Sequence, residues 1–172
     1  LHSEHMSFNG AKMAKSDGNT VTLTDLMERG IHPIAFRYWL CTAHYRSQVS
    51  FDPETVRGAE TALRRLKTQI TELPENGTPV PEYTEHIDTA LARDLDTPTV
   101  IRTAWNAAND DGLDPAEKRA TVAYALTLLG IDLTLLGERS LTMDELDPAV
   151  IDKLNERERA RTDKDFDRAD RI

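Results

Sequence analysis

The sequence predicts a mainly α protein: an antiparallel helical bundle preceded by a short stretch of strand ends and loops. Three observations carry this. A capping residue is followed by proline at Asp52-Pro53, Thr97-Pro98 and Asp114-Pro115; apolar residues recur at helical spacing after each pair; and most connections between the resulting segments are a few residues long. With 172 residues, 39% hydrophobic and 30% charged, the chain can bury one sizeable core.

Residues 1–20 lack helical periodicity and contain Asn9, Gly10, Gly18 and Asn19, the marks of strand ends and loops. Thr24-Asp25 then signals a helix start and Gly30 its stop. Pro33 suits a first helical turn, and Ile34, Phe36, Leu40 and Tyr45 follow it along a strongly apolar helix expected at the centre of a core. Asp52-Pro53-Glu54 opens a long helix carrying Val56, Ala59, Leu63, Leu66 and Ile70. Turn chemistry over 74–79 precedes a helix over 81–94 with Tyr83, Ile87 and Leu91. Thr97-Pro98 opens the next helix, which Gly112 stops, and Asp114-Pro115 opens a fourth long one through Val122, Leu126 and Leu129 to Gly130. Residues 131–140 suit a helical turn or an extended connector equally. Asp147-Pro148 begins a last helical segment whose apolar positions, Val150, Ile151 and Leu154, are few and whose surface is almost wholly charged.

Composition narrows the function. The lone Cys41 excludes an internal disulfide framework and a multi-cysteine metal site, as a reducing compartment would allow. Charged residues interrupt every apolar run and residues 1–8 lack the features of a signal peptide, so a cytoplasmic, non-membrane protein is expected. Leu1 and the uncapped helical pattern over 165–172 read as the ends of a piece of a longer chain. The net charge of −9 divides into +1 over residues 1–48, −7 over 49–139 and −3 over 140–172. Nucleic-acid binders ordinarily present a basic footprint, because neutralising phosphates and releasing their counterions supplies much of their affinity. Here one would have to come from Arg64-Arg65-Lys67 and Arg157-Arg159-Arg161-Lys164, groups that read equally as solvated helix faces.

The chemistry lies in Lys12-Met13-Ala14-Lys15-Ser16, continuing as Asp17-Gly18-Asn19. This segment resembles the lysine-loop signature of class I aminoacyl-tRNA synthetases, whose usual third residue is serine where this chain has Ala14. Its physical use is clear. Transfer of AMP to a carboxylate expels pyrophosphate, and two lysines on a mobile glycine-containing loop can stabilise the charge building on the leaving phosphates. The surroundings are similar to cysteinyl-tRNA synthetases in particular: His2-Ser3, Asn9-Gly10, Thr22-Leu23-Thr24-Asp25-Leu26, the run Pro33-Ile34-Ala35-Phe36-Arg37-Tyr38-Trp39-Leu40, Ala43-His44-Tyr45-Arg46-Ser47, Leu95-Asp96-Thr97-Pro98 and the terminal Ala169-Asp170-Arg171-Ile172. The resemblance runs in order over nearly the whole chain and is strongest over residues 2–66.

The resemblance implies that residues 1–20 end a nucleotide-binding α/β catalytic domain, 21–48 form a stem-contact region, 49–139 an anticodon-binding helical bundle, and 140–172 a charged C-terminal helical segment. It makes Lys15 the principal ATP phosphate contact and Lys12 its helper, with Ser16 donating a hydrogen bond and Gly18 letting the backbone turn closely. Arg37 and Arg46 become candidates for the tRNA acceptor arm, since guanidinium bridges phosphate oxygens bidentately; Arg37 is equally a candidate salt-bridge partner on a helix surface. ATP with magnesium, cysteine and a cysteine-specific tRNA are the implied cofactor and partners. The family's two-histidine signature and its zinc ligands lie upstream of this segment. No metal site is therefore expected in the chain, which alone should be inactive, and residues 1–20 should be weakly held. His44 reads as a structural hydrogen-bonding residue, Trp39 and Trp105 as core, and Cys41 as a small hydrophobe. Two other readings stand beside this one: a synthetase-related ligase joining cysteine to an amino sugar, and a non-catalytic helical module binding tRNA or another partner.

Overall fold

Proline stands in the first turn of each of the five longer helices among the described residues, where its fixed φ favours the helix and its missing N–H is not needed. The computed structural model describes residues 4, 6–8, 11–12 and 22–137, together with Asp152, Lys153, Glu156, Arg159, Ala160, Asp165, Arg168 and Arg171. Its elements are β1 (Met6–Phe8), β2 (Ala11–Lys12), α1 (Leu23–Glu28), α2 (Pro33–Cys41), β3 (Val49–Phe51), α3 (Pro53–Thr71), α4 (Pro81–Ala92), α5 (Thr97–Asn109), α6 (Pro115–Leu128) and a 3-10 turn, Leu133–Leu135. The chain forms two compact units, Leu1–Leu136 and Gly137–Ile172.

The helix boundaries follow capping chemistry. Asp52 and Asp114 cap α3 and α6 through their carboxylates, and Glu117 completes a capping box on α6. Two starts differ from the sequence expectation. Thr22, not Thr24, caps α1, because Asp25 then sits three residues on and reaches back to the Thr22 N–H at 2.7 Å. Asp96, not Thr97, caps α5, its carboxylate accepting from the Thr99 N–H at 3.1 Å. His32 caps α2 with Nδ1, a ring acceptor doing the work of a hydroxyl. Helices α1 and α6 end alike: Gly30 and Gly130 take φ of +73° and +62°, and the following isoleucine N–H reaches back to the carbonyl of Leu26 or Leu126. The apolar partners of each closure, Ile31 with Leu26 and Ile131 with Leu126, are buried.

Two apolar clusters result. Ile34 and Tyr38 of α2 pack with Leu63, Leu66 and Ile70 of α3 and with residues of α4, α5 and α6 in the bundle core, which Ile131 and Leu136 close. The decade 131–140 thus begins as a connector with an exposed 3-10 turn, Leu133–Leu135, held between the buried Ile131 and Leu136. Trp39 of α2 packs with Leu26, Ile31, Phe51 and Val56 in the second cluster, where Trp39, Phe36 and Phe51 stand 5.6–6.0 Å apart between ring centroids. Helices α2 and α3 therefore serve both clusters, the first as a wall with an apolar residue row for each.

The second cluster lies against a three-stranded sheet of order β2-β1-β3. β1 pairs antiparallel with β2, Ser7 opposite Lys12, and parallel with β3, Met6 opposite Val49 and Phe8 opposite Phe51. A parallel pair needs a crossover, and α1 and α2 supply it. β3, drawn from residues expected to open the bundle, makes β1 a central strand.

In the second unit Asp152, Lys153, Glu156, Arg159, Ala160 and Arg168 are helical. Arg168 pairs with Glu156 at 2.7 Å, and Ala160 is buried. Val150, Ile151, Leu154, Arg157, Arg161 and Lys164 lie outside the described residues.

Candidate functional site

Lys12 closes β2, antiparallel to β1 and opposite the buried Ser7, so the backbone of one of the two motif lysines lies on an edge strand of a short sheet. Lys15, Ser16 and Gly18 lie outside the described residues. A lysine ammonium is a compact charge with three donors, suited in type to a phosphate oxygen wherever the loop presents it.

The arginine candidates are both engaged within the protein. Arg37 donates from Nε to the Leu129 carbonyl at 2.8 Å, satisfying a terminal carbonyl of α6, and its guanidinium lies against Gly130. Arg46 reaches Asp94: Nη2 donates to Oδ1 at 3.1 Å and Nε stands 2.8 Å from Oδ2. The Tyr45 hydroxyl donates to the same Asp94 carboxylate and accepts from Arg46 Nε at 2.9 Å. These contacts hold the Asp94 carboxyl below its ordinary value, the Tyr45 hydrogen bond contributing most and Arg46 next; Asp94 in turn raises the Tyr45 phenol. His44 makes the structural bond expected of it, its Nε2 lying 3.0 Å from the Asp94 carbonyl oxygen.

Other cations are likewise turned to carbonyls. Lys67 donates to the Leu136 carbonyl at 2.5 Å, Arg57 to that of Arg29 at 3.3 Å, and Arg119 to those of Thr71 and Leu73 at 2.7 and 2.5 Å. Arg64 pairs with Glu60 one helical turn before it, while Arg65 is exposed. Of the first basic group, two of three members are thus committed internally. The Arg64–Glu60 spacing is legible in the sequence, whereas the carbonyls that take Lys67 and Arg37 lie 69 and 92 residues away and are not.

Trp39 is buried as expected, and Trp105 is half-buried with its indole N–H donating to the Tyr38 hydroxyl at 2.9 Å. Burial raises the Cys41 thiol, which fits a packing residue better than a nucleophile. Among the described residues no three His, Cys, Asp or Glu side chains gather as a metal site, so they do not fit a zinc ion. No described helix is long and apolar enough to cross a membrane. The Tyr45–Asp94 pair is what sequence reasoning missed; its signal, an acid beside a cap at a helix junction, is too common to single out.

Residues 1–61, which hold the lysine motif in sequence, match the family model of the tRNA synthetases class I (C) catalytic domain. The class is that of the class I aminoacyl-tRNA synthetases. Curated relatives sharpen it: the chain is 36% identical over 161 residues to cysteine–tRNA ligase 1 of Burkholderia lata, covering 94% of this chain and 33% of the relative. It is 33% identical to the cysteine–tRNA ligase of Novosphingobium aromaticivorans and 34% identical to that of Chlamydia pneumoniae, each time over 100% of this chain and 38% and 40% of the relative. The chain belongs to the cysteine–tRNA ligase family. It spans between a third and two fifths of the length of these curated relatives.

Proposed function

We propose that the chain is the lysine-loop and RNA-binding part of a cysteine–tRNA ligase, acting in the cytoplasm in ATP-dependent activation of cysteine and its transfer to tRNA. The observation that carries this is the class I catalytic-domain match over residues 1–61, which contains Lys12, Lys15, Ser16 and Gly18 in their motif order. In this reading Lys15 and Lys12 stabilise the β- and γ-phosphates of magnesium-bound ATP as pyrophosphate leaves, Ser16 donates to a phosphate oxygen, and Gly18 lets the loop approach. Residues 1–20 end the catalytic domain, 21–48 contact the tRNA stem, 49–139 read the anticodon region and 140–172 are a charged C-terminal helical segment. Zinc in this reading belongs to the part of the enzyme preceding the lysine segment. The chain by itself is inactive in adenylate formation, because two lysines supply charge but no site for cysteine.

Arg46, exposed, exchanges its partner from Asp94 to a tRNA phosphate more readily than Arg37 leaves the Leu129 carbonyl. A second reading, a ligase joining cysteine to an amino sugar, is favoured by the internal commitment of Lys67, Arg57 and Arg119 and by the −7 charge over residues 49–139. Fluorescence anisotropy of the chain with cysteine-specific and non-cognate tRNA at two salt concentrations separates the two. Cognate-preferring binding that weakens with salt is expected. Equal and feeble binding of both would sink the tRNA reading in favour of the amino sugar.

A further inference from the structure

The loop between α2 and β3 meets the turn between α4 and α5 through three consecutive side chains. His44, Tyr45 and Arg46 all address Asp94, the first at its carbonyl and the others at its carboxylate. They also brace one another: the His44 and Tyr45 rings stack at 4.8 Å, and the Arg46 guanidinium lies 5.3 Å from the Tyr45 ring centroid. The turn they hold is unusual. Asp94 and Leu95 have φ of +58° and +54°, two successive non-glycine residues in the left-handed region. Such backbone persists where surrounding contacts over-determine it. Here the Leu95 and Asp96 N–H groups also return to the carbonyls of Leu91 and Ala90, and Asp96 then caps α5.

Tyr45 faces the other way through its main chain. Its carbonyl accepts from the Glu4 N–H at 2.9 Å, two residues before β1, and β1 is the strand against which Lys12 is registered. One residue therefore touches both the bundle's α4–α5 turn and the lead into the sheet. Attraction between exposed charges is a poor reason for this arrangement, since such pairs contribute little. Its geometric effect is larger: it ties a strained turn, whose shape sets the departure of α5, to the strand pair bearing Lys12.

We propose that Asp94 and Tyr45 are positioning residues that couple the α4–α5 turn of the bundle to the β1–β2 strand pair, so that loosening the turn loosens the lysine-bearing strands. The consequence for phosphate chemistry rests on the ligase reading of Lys12, whereas the coupling itself does not.

Backbone amide exchange of the whole chain tests it, with the Glu4 and β1 amides, which lie outside the α4–α5 turn, as reporters. Asp94→Ala speeds exchange at Glu4 and over Met6–Phe8 by about fivefold, and Tyr45→Phe does the same, while Leu66 and Val122 in the bundle core keep their rates. Asp94→Asn retains an acceptor for Tyr45 and a residue tolerant of the left-handed region, and it stays within about twofold of the original at Glu4. Acceleration confined to residues 94–97, or an equal acceleration at Leu66, Val122 and Glu4, overturns the proposal: the first makes the cluster a local surface pair, the second a general stabiliser. Failure here leaves the tRNA-binding measurement untouched.

Discussion

Gly77 and Gly130 are both crowded, for different reasons. A Cβ on Gly77 would stand 2.1 Å from the Ala116 carbonyl oxygen, main chain in the first turn of α6 that has nowhere to move. A Cβ on Gly130 would meet the Arg37 guanidinium at 2.6 Å, the far end of a flexible side chain, although its φ of +62° adds backbone strain. Gly77→Ala should therefore cost about 3 kcal/mol or more, as overpacking against rigid main chain does, and Gly130→Ala about 1–2 kcal/mol. Urea unfolding midpoints of the two variants check the order; a smaller loss for Gly77→Ala would contradict the rigid contact. The two residues also differ in legibility. Gly130 is marked in the sequence by the end of an apolar helical pattern, whereas Gly77 sits in a loop of turn residues where nothing points to α6. The same holds for Arg37: its residue type suggests phosphate, and only the fold reveals the helix end that claims it.

At the scale of elements, α4 is joined to its neighbours by tyrosine–aspartate hydrogen bonds. The Tyr83 hydroxyl at its start donates to Asp110 beyond α5 at 2.7 Å, and the Tyr124 hydroxyl of α6 donates to Asp88 of α4 at 2.7 Å. Asp110 is the main cause that pushes the Tyr83 phenol up to about 12 from its ordinary 10. A group whose pKa is higher folded than unfolded stabilises fully below the unfolded value and ceases to as pH rises through the folded one. Thermal stability should thus fall between pH 10 and about 12, and Tyr83→Phe should flatten that part of the profile. The opposite sign applies to Asp110, whose carboxyl is held low chiefly by Tyr83: its contribution is present above pH 3.8 and is lost as pH falls below it. An unchanged alkaline limb in Tyr83→Phe would remove the hydrogen bond from the account. The caps show what local sequence can reveal at this scale. Asp52-Pro53 and Asp114-Pro115 announce α3 and α6 correctly, because cap and proline act within four residues. Thr24 and Thr97 mislead by one or two positions, since the deciding partner in each case is a carboxylate nearby. β3 is three residues long and pairs with a strand 43 positions earlier, so no local pattern announces it.

For the main unit as a whole, the question is whether the sheet side and the bundle unfold together. Their cores are distinct, yet α2 contributes Ile34 and Tyr38 to one and Trp39 to the other, and α3 contributes Val56 to one and Leu63, Leu66 and Ile70 to the other. Unfolding the sheet side alone would expose Trp39 and Val56 while leaving both helices folded. That strips apolar contacts from helices already held by the bundle, and it leaves α2 with one face in water. Cooperative loss of both clusters is the cheaper route. The two tryptophans report on them separately: Trp39 lies within the aromatic trio of the second cluster, and Trp105 packs against the bundle core. Fluorescence melts of Trp39→Phe and Trp105→Phe, each leaving one tryptophan, should share a single midpoint once corrected for the stability lost to each substitution, measured by far-ultraviolet circular dichroism on the same samples. If the variant retaining Trp39 loses its fluorescence signal well before its circular dichroism, the shared helices do not transmit stability, and β1 to β3 open as a unit of their own.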